Sequence, residues 1–154
     1  MYKRQVVYLL MQETTQTVRI VPRVGRRLPA YGTASGKVQL AYESIDRLNE
    51  LFRDYPLKRY TERTIVDFEA LKEHLKEVAR LGYAIDDEEL EDGVRCVAAP
   101  VRDYSHKVVA AVGLSGPLPR FSIERVEKEL VPIVREAAVK VSQRLGFEIA
   151  AAAN

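Results

Sequence analysis

Three side chains in the second half of the sequence could do chemistry: the carboxyl group of Asp86, the thiol of Cys96 and the hydroxyl of Ser115. Cys96 is the only cysteine, and a nucleophilic cysteine needs a neighbouring base or an electropositive setting. The only histidines are His74 and His106, and neither stands in a recognisable catalytic motif. Structural roles are equally open, because buried free cysteines are usually small hydrophobes and a serine often begins a turn. The residues alone therefore leave binding, catalysis and simple packing as alternatives.

An acidic run lies between the segments that carry Asp86 and Cys96. Six acids occupy the seven positions 86–92, next to an apolar stretch at 94–102. Charge beside a buried strand is typical of the rim of a pocket, and equally of a plain acidic turn. The run lacks the alternating ligands and central glycine of a calcium loop, and zinc would require more cysteines and histidines. We therefore predict no metal site and no cofactor.

Length and composition indicate one soluble globular domain. The chain has 154 residues, of which 47% are hydrophobic and 30% charged. The net charge is only +2, and the arginine cluster at 19–27 has no interleaved aromatic residues, so specific DNA binding by this chain alone is not expected. A single cysteine fits a reducing compartment, and the sequence shows neither a signal peptide nor a span of about 20 apolar residues. We predict a cytoplasmic protein without membrane contact.

The first third of the chain is predicted to start with a β-hairpin. Residues 5–11 and 17–21 are rich in β-branched and apolar residues and are separated by a short polar turn. Residues 25–29 are predicted to be a loop, and a helix is predicted to start near Thr33.

Two helices follow, each with clear start and stop signals. Ser44 caps the first, and Pro56 ends it. Asp67 caps the second, and Gly82 is its natural C-terminal stop.

The last third is predicted to contain three strands and the longest helix. The strands cover residues 83–87, 94–102 and 107–115, and Ser122 caps the helix. Pro132 lies inside the helical pattern, which predicts a kink or a split there. Because no regular alternation of strands and helices is present, we predict an α+β fold with an antiparallel sheet and helices on both faces.

Two blocks of this sequence, residues 25–37 and residues 82–117, resemble the C-terminal effector-binding domain of IclR-type bacterial transcriptional regulators. The likeness extends over nearly the whole chain. It implies a GAF-like fold and a single effector-binding domain over residues 1–154, which associates as a homodimer or tetramer. Those regulators begin with a winged helix-turn-helix, so the resemblance also implies that DNA is contacted only through a domain missing from this chain.

The same resemblance implies a ligand site between the sheet and the segment around Gly36 and Lys37. Carried over by motif position, the contacting residues are Ala34, Ser35, Asp86, Cys96, Gly113 and Ser115, with Ile20 and Leu28 as the apolar wall. The implied effector is a small molecule, a carboxylic or aromatic acid. Ala34-Ser35 stands where some members have Gly-Ala, and Gly113 stands where some have serine. These departures predict an effector bulkier or less polar than the smallest keto acids, and Asp86 favours a hydroxylated or aromatic acid.

The predicted function is that of a sensing domain in a transcriptional regulator, in which effector binding alters the oligomer and the DNA binding of an attached domain. A stand-alone oligomerisation or ligand-binding module is the alternative, since residues 2–10 would form an edge strand and edges invite pairing. A hydrolase that uses Cys96 is a further alternative, and we predict that the chain is not an enzyme.

Overall fold

The computed structural model describes residues 4–21 and 23–148 of the chain. A three-stranded antiparallel sheet lies between helices that precede it in the chain and a long helical segment that follows it. Another, two-stranded sheet is formed by β1 (Gln5–Val7) and β2 (Arg27–Pro29). The predicted α+β architecture, with an antiparallel sheet covered on both faces by helices, is confirmed.

The predicted hairpin of residues 5–11 and 17–21 is wrong. β1 ends at Val7 and pairs antiparallel with β2, within the segment predicted to be a loop, so that Val6 lies opposite Leu28. This pairing buries Val6 in an apolar cluster with Leu28, whereas 69% of the surface of Val18 is exposed. Strand propensity reflects the fit of a side chain to a half-buried surface, and residues 17–21 have no such surface to cover.

The helix α1 (Ala34–Leu40) begins where the sequence predicts. Thr33 is its N-cap, and the Thr33 hydroxyl accepts a hydrogen bond from the Gly36 amide at 3.1 Å. A short 3-10 turn at Ala30–Gly32 precedes it and buries Tyr31. The tyrosine hydroxyl donates to the Lys58 carbonyl at 2.9 Å, which fixes the long loop after the next helix.

The helices α2 (Ile45–Phe52) and α3 (Phe68–Leu81) have the predicted caps. The Ser44 side chain accepts from the Arg47 amide, and the Asp67 side chain accepts from the Ala70 amide. α3 ends at Gly82, whose φ of 73° is the left-handed conformation that favours glycine at this position.

The central sheet consists of β3 (Ala84–Asp87), β4 (Val94–Arg102) and β5 (Val108–Pro117) in that order. All neighbours are antiparallel, as the short connections between them require. β4 is the central strand and matches its predicted bounds.

The final helical segment is interrupted at the predicted place. It consists of α4 (Ile123–Arg125), a π-helical stretch at Val126–Leu130 and α5 (Val131–Arg144). Pro132 lies in the first turn of α5. Its ring has no N–H to donate and would crowd the carbonyl four residues earlier, which the wider π turn accommodates.

The two faces of the sheet pack against different helices. On one face, Cys96 and Ala98 of β4 pack with residues of α1 and α3. On the other face, Val97, Ala99 and Val101 pack against the π-helical stretch and α5. Along residues 4–21 and 23–148, no helix combines the length and apolar character needed to cross a membrane.

Candidate functional site

The strand register places the three chemically capable side chains in one row. Asp86 of β3 lies opposite Cys96 of β4, and Cys96 lies opposite Ser115 of β5. The next row on the same face consists of small residues, Ala98 and Gly113 among them. Side chains two residues apart on a strand share a face, so the face that carries this row turns toward α1.

A large cavity covers this row of side chains. It has a volume of about 1150 Å³ and borders the sheet, the start of α1 and the irregular segment after β1. It also extends to the opposite face of the sheet, where Val97, Val101 and Phe121 line it. All eight residues that the sequence analysis proposed line it: Ile20, Leu28, Ala34, Ser35, Asp86, Cys96, Gly113 and Ser115. Cavities that hold small-molecule ligands are usually of about 300–1,000 Å³, so this one has room for a ligand well above three carbons.

Asp86 is a deeply buried acid of the cavity lining, and its pKa is shifted from the ordinary value. Only 3% of its surface is exposed, and this burial raises the pKa of its carboxyl group to about 6. The Glu89 amide, which donates to Asp86 Oδ1 at 2.8 Å, and the charge of Lys37 both act in the opposite direction. Asp86 is therefore an acceptor at neutral pH and a hydrogen-bond donor in mildly acidic solution.

Cys96 is held as a thiol. Burial, and then the charge of Asp86, raises the pKa of Cys96 to about 12, which removes the thiolate that a nucleophile requires. Neither histidine lines the cavity: His74 is part of α3, and the ring of His106 packs edge-on against Phe147 at 4.9 Å. The arrangement suits contact with a ligand rather than covalent catalysis.

A buried ion pair lies behind the cavity. The Lys37 ammonium pairs with the Glu89 carboxylate and donates to the Ile85 carbonyl at 2.6 Å. Lys37 is completely buried, and neither member of the pair lines the cavity. The two residues that the Lys37 ammonium contacts lie on either side of Asp86 in the sequence, because Ile85 precedes it and Glu89 follows it.

The acidic run is largely neutralised by protein groups. Asp87 accepts from Arg95 at 2.7 Å and also pairs with Arg63. Glu88, whose φ of 60° is unusual for a residue other than glycine, accepts from the Gly93 amide at 2.9 Å. No cluster of acids, histidines and cysteines suited to a metal ion occurs in the described part of the chain. Of the six acids, Asp86 and Glu91 line the cavity.

Gly113 has a packing explanation that the sequence did not show. A Cβ atom at this position would lie 2.7 Å from the carbonyl oxygen of Val97 and 3.2 Å from the Cβ of Ala98. The missing side chain therefore permits the close approach of β5 to β4. Gly113 also lines the cavity, so the interpretation that it enlarges the cavity floor stays a prediction beside this packing role.

Sequence reasoning missed several residues of the cavity. Tyr8 lines it, and burial followed by the charges of Cys96 and Asp86 raises the pKa of its phenol to about 12. Gln39 lies one turn after Ser35 on α1, a spacing that could have been recognised, and donates to the Ser35 carbonyl at 3.0 Å. Four arginines also line the cavity: Arg19, Arg26, Arg120 and Arg125.

Comparison with known proteins gives one family. The sequence profile described as the bacterial transcriptional regulator IclR C-terminal domain matches residues 1–143. Over 142 residues the chain is 41% identical to the HTH-type transcriptional regulator KdgR of Escherichia coli K12, which covers 92% of this chain and 54% of that protein. The chain thus spans about half the length of the curated relatives it matches.

Solved structures agree with this assignment of the fold. A transcriptional regulator from Rhodococcus sp. RHA1 superimposes with a TM-score of 0.91 at 35% identity, over 95% of this chain and 59% of that chain. The inducer-binding domain of PobR from Acinetobacter, a double mutant in complex with 3-hydroxybenzoic acid, gives a TM-score of 0.80 at 29% identity, over 92% and 83% of the two chains. The relatives are transcriptional regulators, not enzymes.

Proposed function

The chain belongs to the IclR family of bacterial transcriptional regulators as a C-terminal domain of that type, and we propose that it senses a small organic acid in the cavity at Asp86. The observation that carries this proposal is that the eight residues implied by the family resemblance, which come from distant parts of the chain, all line one cavity. The cavity combines an apolar lining with a few directed polar groups, as small-molecule sites do. The ligand contacts remain those proposed from the sequence, with Ser35 on α1, Asp86 on β3, Cys96 on β4 and Ser115 on β5 as the polar set.

Charge favours an acid as the ligand. Four arginines line the cavity against three acids, Glu13, Asp86 and Glu91. Arg19 pairs with Glu13 at 3.4 Å, Arg125 pairs with Glu129 at 3.0 Å, and the guanidinium of Arg120 donates to the Val18 carbonyl. Arg26, whose charge acts on Tyr8 in the cavity, is the arginine that supports a carboxylate ligand, because guanidinium groups pair with carboxylates in a fixed, bidentate geometry.

Asp86 favours an acid that also carries hydroxyl groups. A second carboxylate beside Asp86 would be repelled, whereas a hydroxyl can donate to it. The cavity volume of about 1150 Å³ agrees with a ligand larger than a two- or three-carbon keto acid. The complex of the PobR domain with 3-hydroxybenzoic acid supports a hydroxylated or aromatic acid by analogy.

In this proposal, the ligand acts on DNA indirectly. Binding favours one arrangement of a homodimer or homotetramer, and a helix-turn-helix domain of the kind in the relatives' names reads that arrangement on DNA in the cytoplasm. The differential affinity of the acid for the two arrangements sets how far the equilibrium moves.

Thermal unfolding in the presence of single acids tests the proposal. The chain is heated with pyruvate, gluconate or 3-hydroxybenzoate, which represent a small keto acid, a hydroxylated acid and an aromatic acid. A ligand at about a hundred times its dissociation constant stabilises the folded state by about 2.7 kcal/mol, which raises the Tm of a domain of this size by several degrees. We expect gluconate or 3-hydroxybenzoate to raise the Tm and pyruvate to have little effect.

Substitutions in the cavity test whether the acid binds at Asp86 and Ser35. The shift is expected to be lost in Asp86→Asn and reduced in Ser35→Ala, each compared with its own ligand-free Tm. Asp92→Asn and Ser105→Ala change the same side-chain types at exposed positions outside the cavity and should retain the full shift. The proposal is abandoned if no acid raises the Tm, or if the shift survives in both cavity variants.

A further inference from the structure

We propose that Lys37, which does not line the cavity, is a positioning residue for the ligand site: together with Glu89 it fixes the carboxylate of Asp86 in place. This inference rests on the proposed function only in taking Asp86 as a ligand contact. The structural relation between the three residues stands independently of which acid binds.

The first step of the argument is the position of the Lys37 ammonium. It bonds to the Ile85 carbonyl at 2.6 Å, directly before Asp86 in β3, and pairs with the Glu89 side chain three residues after Asp86. Lys37 itself is completely buried in α1. The Lys37 side chain therefore contacts both β3 just before Asp86 and the turn that follows Asp86.

The second step is the contact from Glu89 to Asp86. The side chain of Glu89 is held by Lys37, while its backbone amide donates to Asp86 Oδ1 at 2.8 Å. The hydroxyl of Thr64 donates to the Glu89 carbonyl at 2.6 Å and so fixes the same turn from outside. Glu89 is therefore held at its side chain by Lys37 and at its carbonyl by Thr64, while its amide contacts the Asp86 carboxylate.

The third step is electrostatic. The positive charge of Lys37 lowers the pKa of Asp86 and the negative charge of Glu89 raises it, and the contribution of Lys37 is the larger of the two. Both act against a background in which burial raises the pKa to about 6. Lys37 thus favours the ionised carboxylate that a ligand hydroxyl can donate to.

The other titratable groups around these residues stay neutral in the relevant range. Cys96 from β4 and Tyr8 from the segment after β1 face Asp86, and burial raises the pKa of each to about 12. His74 of α3 faces Lys37, and burial followed by the charge of Lys37 lowers its pKa to about 4. Between pH 5 and 8, Cys96, Tyr8 and His74 therefore remain uncharged.

The test is a carbon-13 NMR titration of the Asp86 carboxyl group in the ligand-free chain, with the resonance assigned through Asp86→Asn. In Lys37→Met the pKa of Asp86 should rise above its value in the unmodified chain by about one unit, because the opposite charge is lost. In Glu89→Gln it should fall, because the like charge is lost. Opposite directions in the two variants are a signature that a general loosening of the fold does not produce.

The double variant Lys37→Met/Glu89→Gln keeps the measurement interpretable. It leaves neither a buried lysine nor a buried carboxylate without its partner, the state that makes each single change destabilising. In it the pKa of Asp86 should lie below its value in Lys37→Met and above its value in Glu89→Gln, because the opposite charge and the like charge are removed together. A pKa of Asp86 that does not rise from Glu89→Gln to the double variant, the step that removes only Lys37, would overturn the inference, whatever the acid panel shows. Movement of the pKa with no acid bound in the panel would instead support the inference and count against the proposed ligand class.

Discussion

At the scale of single residues, the cavity contains an acid whose ionisation costs stability. The pKa of Asp86 is about 6 in the folded chain, against an ordinary value of 3.8. Below pH 3.8 the carboxyl group is protonated in both the folded and the unfolded state, and it has no effect. As the pH rises toward 6, the unfolded chain loses its proton first, so the folded state is progressively disfavoured, and the full cost remains above pH 6. A shift of this size corresponds to about 3 kcal/mol.

Asp86→Asn should therefore make the domain more stable. We expect the free energy of unfolding to increase by about 3 kcal/mol at pH 8 and by roughly half as much at pH 5, because the amide keeps the shape of the side chain without its charge. Urea unfolding at the two pH values measures this difference. Asp92→Asn, an exposed change in the same acidic run, should alter stability by less than about 0.5 kcal/mol. A loss of stability in Asp86→Asn at pH 8 would contradict the assigned pKa.

At the scale of elements, the start of α1 is positioned by a close contact that only glycine permits. A Cβ atom on Gly36 would lie 2.2 Å from the Ala30 carbonyl oxygen and 2.4 Å from the Ala30 Cα. These are backbone atoms of the preceding 3-10 turn, so no rotation of a side chain relieves the overlap. The contact fixes the helix that carries Ser35 into the cavity and Lys37 behind it.

Gly36→Ala should destabilise the domain, with Gly32→Ala as its matched control. We expect the free energy of unfolding to fall by about 3 kcal/mol or more in Gly36→Ala, because the 3-10 turn and α1 must separate. At Gly32 the nearest atoms to an added Cβ are 3.8 Å away, an ordinary van der Waals distance, so Gly32→Ala should change stability by less than about 1 kcal/mol. Equal losses in the two variants, measured by urea unfolding, would show that the contact at Ala30 is not the cause.

At the scale of the whole molecule, the central strand β4 is buried by packing on both of its faces. Val97, Ala99 and Val101 of this strand are at most 1% exposed, and they pack against α5 while the opposite face packs against α1. The segment at residues 9–19, by contrast, has no regular secondary structure and is mostly exposed, although it borders the cavity. A ligand that fills the cavity would therefore contact both the buried strand β4 and the exposed segment at residues 9–19.

Amide hydrogen exchange should separate these two regions. We expect the β4 amides to exchange only through global unfolding, and the amides of residues 9–19 to exchange within about 100-fold of the unfolded rate, because exposed backbone without a packed face opens locally. Mass spectrometry of peptides from the native chain measures both. Protection at residues 9–19 equal to that of β4 would mean that this segment is packed far more firmly than its exposure indicates.

The sequence predicted the elements whose signals are local. Asp67 and Gly82 mark the ends of α3, the alternation of small and apolar residues marks β4, and Pro132 marks the interruption of the last helix. Caps, glycines in left-handed conformations and prolines act through their own backbone, so they can be recognised without knowing the tertiary structure.

The partners of each element depended on the tertiary structure. Residues 17–21 have the composition of a strand, yet β1 pairs with β2, and this pairing buries Val6 in the core with Leu28 packed against it. For the same reason Tyr8 could not be placed in the cavity beforehand. The family resemblance selected eight cavity residues, but the geometry gave Gly113 a packing role and placed the Lys37–Glu89 pair next to Asp86, with the Glu89 amide donating to its carboxylate. Burial and pairing arise between distant segments, and the close approaches and pKa shifts that they cause appear only once the chain is folded.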